Sequence, residues 1–550
     1  MEKRLILAIV LSFLVLMGYQ YFFVKPNKTP TQPEVITSPV PATPVPGASA
    51  AIREQKKAPA PEAKPTAAEA AAPRDLSAVA GRAETEVVVE TSLYRAVWSN
   101  KGGVLRSWKL KKHKNSMKED LDLVPALAAE IGRYPFSLGF DDAALAGLLN
   151  SALFEPSGAS LDLADGVTGE LRFVYSDGAS VRAEKSFRFS GGSYAVTTDV
   201  RVWKDGQPVS PSVLWGPGIS NLTAAEAKQS FSASRGSAVY TGGKVFRMNE
   251  RKYKPGESTY NFVDWAAYEE NYFVALFVLP AQKGRAAFLQ EAGEIAGGQV
   301  PVYFLYVTEP AQAYIGPKDA DILKTFGHNA KKVINFGTFG SIAEILLVVV
   351  KFCYKLIPNW GVAIILLTLI IKIVFFPLTY SSTKSMAKMA DLQPKIKALR
   401  AKYKKAKTDI DQRRQMNEEM MKLYKENGVN PAGGCLPMLI QLPVFWGVFR
   451  MLVVSVEFRH APFALWITDL SVKDPYYVTP VLMGITQFIS QKMTPTSAEP
   501  SQAKMMLVMP FVMTIFFMNF QSGLVLYWLT TNVLQIGQQA LMNRMMHKKK

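Results

Sequence analysis

One lysine, Lys372, stands inside the apolar run from Gly361 to Tyr380. A lysine at mid-bilayer costs about 2.5–3.5 kcal/mol on insertion scales, so it faces a bundle interior or a wet cavity unless it snorkels to the surface. Thr368 lies one helical turn away on the same face. Gln441 follows in the next apolar run, and Gln535, Gln538 and Gln539 sit near the end of the last one. These residues describe a polar pocket inside a membrane, open to the cytoplasm and closed outward; snorkelling of Lys372 to the inner surface is the alternative. Such a pocket hydrates a path and attracts acids, and it needs no covalent step. Cys353 and Cys435 have no Cys/His ligand spacing, and four scattered histidines leave little for a zinc site. No metal, cofactor or enzyme chemistry is expected.

The elements that must hold this pocket are read from the apolar runs. Of 550 residues 49 % are hydrophobic and 20 % charged, which excludes a mainly disordered chain. Leu5 to Val24 follows Lys3 and Arg4 and ends in bulky aromatics, so residues 1–25 read as an uncleaved signal anchor with its start in the cytoplasm; a cleaved signal peptide is the alternative. Residues 26–80 hold 11 prolines and read as an extended linker. Residues 81–325 carry short strand-like runs between Gly turns. In one of them Tyr194, Val196, Thr198, Val200 and Val202 alternate as in a half-buried strand. This segment reads as a large antiparallel β-sandwich outside the cytoplasm, with no catalytic cluster.

Residues 340–358 read as an amphipathic helix at the outer interface, because Glu344, Lys351 and Lys355 interrupt the run Ser341 to Leu356. Gly361 to Tyr380, Leu436 to Val456, Tyr476 to Ser490, Met505 to Phe520 and Gly523 to Gln538 read as five spans, six with the anchor. The last three have about 16 residues each and cover about 24 Å of a ~30 Å hydrocarbon core, which implies bilayer thinning or burial in a bundle. The loop 382–430 carries 13 Lys/Arg against 6 Asp/Glu, and the tail 542–550 is also basic. The positive-inside rule puts both, and both termini, in the cytoplasm. Within the loop, Leu392, Ile396, Leu399 and Tyr403, then Met416, Met420 and Leu423, recur at 4-3 spacings that predict a helical hairpin turning near Thr408. It is either a docking arm for an acidic partner or RNA, or a solvated hairpin whose basicity only sets topology. Seventeen of 21 methionines fall between 386 and 546, suiting either adaptable client contact or gap filling.

Several segments together carry a resemblance. Asn359-Trp360-Gly361-Val362-Ala363-Ile364-Ile365 leading to Phe376-Pro377-Leu378-Thr379, Asn430-Pro431-Ala432-Gly433-Gly434-Cys435-Leu436-Pro437, Gln441-Leu442-Pro443-Val444-Phe445, Ala461-Pro462-Phe463-Ala464-Leu465-Trp466-Ile467, Asp474-Pro475-Tyr476-Tyr477 and Ser522-Gly523-Leu524-Val525-Leu526-Tyr527-Trp528 resemble the YidC family of bacterial membrane protein insertases, in the family's order, and the N-terminal anchor, the linker and Tyr314-x-Gly316-Pro317-Lys318 resemble its Gram-negative form. The resemblance implies a membrane α-helical bundle of six transmembrane helices, five in a core at 359–541, plus a periplasmic super-sandwich. It implies insertion and folding of inner-membrane proteins, alone or beside the Sec translocon, without nucleotide hydrolysis. It places the usual groove arginine at Lys372 and substrate contacts at Leu436, Leu442, Pro443, Phe445, Phe516, Tyr527 and Trp528. It links the basic hairpin and tail to the signal recognition particle, its receptor and the ribosome, and the bundle to membrane lipids. Arg450 replaces an uncharged residue of the family's pattern. A secondary transporter would share the polar pocket but should show repeated halves and broken helices around it, and the sequence displays neither. An anchored sugar-binding protein would not explain five further spans.

Overall fold

Alternation of apolar and polar residues builds the N-terminal half. Val181–Ser190 buries Val181, Ala183, Lys185, Phe187 and Phe189 on one side. Ala195–Lys204 buries Val196, Thr198 and Val202 likewise. The computed structural model describes residues 77–115, 117–219, 234–254, 258–295, 298–403, 409–429, 436–494 and 500–547. The anchor 1–25, most of the linker, the hairpin turn near Thr408 and the end of the tail lie outside them.

Three sheets form this half: a central sheet of ten strands and two of five. Pairing is antiparallel except where Glu86–Thr91 lies parallel to Ser160–Leu163, a departure from the purely antiparallel expectation. The long connection between these two strands is what a parallel pair requires. Aromatic rings fill the space between the sheets; Trp98, for example, packs on Phe136 and Phe187 with centroids 5.1 and 4.2 Å away. Three short helices, α1 (Leu127–Glu130), α2 (Ala143–Ser151) and α3 (Ala320–Phe326), cap the sheets.

After Pro317 the chain is helical: α4 (Gly340–Leu356), α5 (Trp360–Val374), α6 (Phe376–Asp391), α7 (Gln393–Lys402), α8 (Ile410–Glu426), α9 (Leu436–Val454), α10 (Val478–Met493), α11 (Pro500–Phe517) and α12 (Ser522–His547). Among the described residues no single helix is long and apolar enough to cross a membrane; α5 and α6 together are, but they bend by 59°. The expected unbroken span Gly361 to Tyr380 is therefore corrected. Pro377 explains the break: it sits in the first turn of α6, where its missing N–H costs nothing, and it cannot continue α5. The last helix runs past the expected end at Gln538 to His547. Helix α4 buries Ala343, Leu346, Leu347, Val350 and Cys353, while Ile345, Val348, Phe352 and Leu356 are exposed, an apolar outer face suited to lipid. The hairpin is seen as α7 against α8. Met389, Leu392, Ile396 and Val429 are buried in it beside Met420, Leu423 and Tyr424, and Glu419 accepts from Lys402 and Tyr403 at 2.7 and 2.9 Å.

Candidate functional site

Helix α5 starts where Asn359 accepts from the Val362 N–H at 3.1 Å, while its own amide donates to Phe463 O at 2.9 Å. This N-cap fixes the helix. Three turns on, Lys372 is half-buried and donates to Gln535 Oε1 of α12 at 2.8 Å. Thr368 is buried and its hydroxyl is spent on Ile364 O at 2.7 Å, so it backs the wall and offers no free donor. Gln441 of α9 hydrogen-bonds the Tyr527 hydroxyl. Two buried atoms further along α12, Gln538 Nε2 and Gln539 Oε1, have no partner among the described residues. Such atoms call for water or another polar partner; the sheet core holds others, among them Trp98 Nε1, Trp108 Nε1 and Trp265 Nε1.

The face of α12 that holds this strip is Tyr527, Thr531, Gln535 and Gln538, at i, i+4, i+8 and i+11. Thr531 was not singled out from sequence, although this spacing was the signal. Neither was buried Asn532, which donates to Met483 O at 3.1 Å and ties α12 to α10.

Helices α9 and α11 also carry exposed apolar residues. Leu442 is 43 % and Phe516 37 % exposed. Pro443 sits inside α9, where it removes one helical hydrogen bond. Phe445 meets Trp528 edge-on at 5.0 Å, Trp528 meets Phe517 at 5.0 Å, and the Trp528 indole donates to Gln487 at 3.2 Å. Tyr527, by contrast, is 2 % exposed; its carbonyl accepts from the Thr531 hydroxyl at 2.8 Å and its own hydroxyl meets Gln441. Leu436 opens α9, and its side chain lies outside the described residues.

The loops between helices knit them together. Asp474 accepts from Trp466 Nε1 at 3.1 Å, from Tyr476 N at 3.0 Å and from the N and Oγ1 of Thr479, both at 2.7 Å. Burial raises its pKa, but these four donors prevail and hold the carboxyl below the usual range. Ser522 donates through both N and Oγ to Val472 O at 2.7 Å. Lys351 of α4 bridges Asp321 at 2.8 Å and Glu457 at 2.7 Å; burial still keeps Glu457 above the ordinary carboxylate value. Arg450 donates to the backbone carbonyl of Asn335.

A break in α5 beside the lysine is a feature expected of a transporter, so the comparisons with known proteins decide. The model of the 60Kd inner membrane protein family matches residues 352–549, and that of the YidC periplasmic domain matches 86–349. The membrane protein insertase YidC of Citrifermentans bemidjiense is 40 % identical, covering 99 % of both chains. That of Nitratidesulfovibrio vulgaris is 39 % identical over 98 % of both. A crystal structure of an active YidC insertase with its first transmembrane domain resolved aligns over 84 % of this chain and 94 % of its own, at 19 % identity and a TM-score of 0.36. The motifs, the two matched models and the full-length relatives agree: the chain belongs to the YidC family of membrane protein insertases.

Proposed function

We propose that this protein inserts and folds inner-membrane proteins by lowering the barrier to translocation of their polar segments. The observation that carries the reading is the polar strip of Lys372, Gln535, Gln538 and Gln539 in a helical region that also exposes the apolar Leu442 of α9 and Phe516 of α11. A polar segment crossing ~30 Å of hydrocarbon leaves its backbone and side chains unsatisfied. A wet groove reaching part-way shortens that path. Lys372 attracts acidic residues of the incoming segment, and the client's apolar helix leaves along Leu436, Leu442, Pro443 and Phe445 of α9 and Phe516 of α11. Trp528 backs this slide, and Tyr527 acts from behind by holding Gln441. No bond is made or broken, so the protein is not an enzyme and needs no cofactor.

The same reading sets six spans with both termini in the cytoplasm, a periplasmic sheet domain and a cytoplasmic hairpin. The hairpin and tail receive clients from the signal recognition particle, its receptor or the ribosome, and the Sec translocon is a working partner. The sequence of the sheet domain displays no catalytic cluster, so deletion of most of 90–310 should leave insertion intact while 315–360 remains. Loss of insertion of all clients, at normal abundance, would make the domain part of the core mechanism.

Photo-crosslinkers at Leu442 and Phe516 in vesicles should capture a nascent inner-membrane protein; a client inserted without adducts at either position would contradict the slide. A single cysteine at Ala406 should be shielded from impermeant thiol reagent in intact spheroplasts while one at Asp469 reacts. Labelling at Ala406 from outside would overturn the topology.

A further inference from the structure

Helix α9 is gripped from outside at three successive places. At Gly447 a Cβ would come within 2.9 Å of Ile342 Cγ2, 3.3 Å of Leu346 Cδ1 and 3.4 Å of Ala343 N, so glycine lets α4 lie directly on α9. Nearly one turn on, Arg450 reaches to the segment joining the sheet domain to α4 and donates to Asn335 O. Its side chain lies over Gly337, where a Cβ would sit 3.3 Å from Nε and 3.6 Å from Cδ and Cγ. Gly337 also has φ +75°, a conformation that favours glycine, so its identity serves both the turn and the seat. Past the end of α9, Glu457 is held by Lys351 of α4 at 2.7 Å.

The joining segment is itself fixed on both sides. Arg247 of the sheet domain donates to Lys332 O at 2.9 Å and Val333 O at 3.0 Å while paired with Glu269 at 3.0 Å. Lys331 pairs with Glu344 of α4 at 2.6 Å. The segment and α4 thus form a bracket, and Arg450 of α9 reaches into its joining segment. Pro443 interrupts the hydrogen-bond ladder of α9, so the half after it needs such an external hold.

We infer that Arg450 is a positioning residue for insertion: it locks the outer half of α9 to the bracket at 330–337, keeping Phe445 against Trp528 and the slide between α9 and α11 at a fixed width. The inference rests on the slide proposed above. It gives a role to a charge that departs from the family's pattern. The Arg450 contact itself lies outside 90–310, although deleting those residues would remove the Arg247 hold on the bracket.

The test uses the full chain in vesicles with a photo-crosslinker at Trp446, beyond Pro443, or at Phe516. Arg450→Leu should lower client adducts at Trp446 at least fivefold and those at Phe516 less than twofold. Arg450→Lys, which keeps a donor of similar reach, should stay within twofold of the parent at both. Gly337→Ala should follow Arg450→Leu. If Arg450→Leu lowers abundance, Arg450→Gln takes its place in the same comparison. Adducts that fall equally at the two probes, or at neither, would overturn the inference while leaving the slide intact. A parent protein giving no adducts at either probe would overturn the slide, and the inference with it.

Discussion

The sheet domain and the helical region each bury lysines, and they satisfy them differently. Lys185, fully buried, donates to Gly102 O at 2.6 Å, Phe136 O at 2.8 Å and Gly103 O at 3.3 Å, three backbone carbonyls that occupy its three protons. Lys318 is paired with Glu269 at 2.6 Å, and Glu269 with Arg247. Lys372 has one described partner, the neutral Gln535. A buried cation whose donors are all taken holds a fold together. A buried cation with donors to spare is placed to meet something else. Burial is therefore a poor guide to function until the partners are counted.

The comparison breaks if the structural lysines prove functional or the groove lysine proves structural. The largest effect is expected at Glu269. Glu269→Gln leaves Lys318 buried without its counter-charge and should destabilise the sheet domain by about 3–5 kcal/mol in denaturant unfolding. Lys185→Met strands three carbonyls and should cost about 2–3 kcal/mol, with client insertion within twofold of the parent at equal abundance. Loss of insertion by folded Lys185→Met would erase the distinction.

A pH series sharpens it. Burial pushes Lys185 down to about 7. Between pH 7 and the unfolded value near 10.5 the unfolded chain binds the proton that the folded chain gives up. Stability of the sheet domain should therefore rise with pH across that window, by about 3–5 kcal/mol, and Lys185→Met should flatten the slope. A flat parent would mean that the three carbonyls fully offset burial. The smallest effect is at His113, lowered to about 4 by burial first and then by Arg459, while Asp319 works the other way. Its contribution is complete above pH 6.5 and declines as pH falls towards 4. His113 packs edge-on against Phe273 at 5.2 Å, and Arg459 lies over the same ring. Acid should thus loosen the seam between sheet domain and outer loops, by less than about 1 kcal/mol at pH 5.5, read as faster protease release of the domain and abolished by His113→Gln.

What the sequence displayed followed from how each element is buried. Strands with one wet face, such as Ala195–Lys204, show period 2 and were found. Trp265–Glu269 is buried on both faces and shows no alternation. Arg285–Ile295, rich in Ala, Glu and Gln, has helical propensity but pairs along most of its length with Gly298–Thr308, so tertiary pairing overrides local preference. Lys185 was legible in principle: it falls on the same side as Val181, Ala183, Phe187 and Phe189. In the helical region Lys372, Gln441 and Gln535 were visible as polar interruptions of apolar runs. Which of their atoms are already spent was not, because Thr368 on Ile364 O and Tyr527 behind Gln441 depend on rotamers and helix packing. The break at Phe375 was announced by Pro377 and hidden by the apolar residues on both sides.

The most direct test of the account is the groove charge itself. A matched pair of clients, identical except that the translocated segment carries Asp and Glu in one and neutral residues in the other, is inserted by the parent, Lys372→Arg, Lys372→Ala and Lys372→Glu at equal abundance and scored by protease protection. The account predicts near-parental insertion of both clients by Lys372→Arg, and roughly tenfold loss by Lys372→Ala for the acidic client, matching a little over 1 kcal/mol. Lys372→Glu should lose more than Lys372→Ala, through like-charge repulsion in a weakly screened site, while the neutral client suffers less throughout. Equal loss for both clients would mean that Lys372 only hydrates or shapes the groove, and no loss for either would contradict a role for the charge.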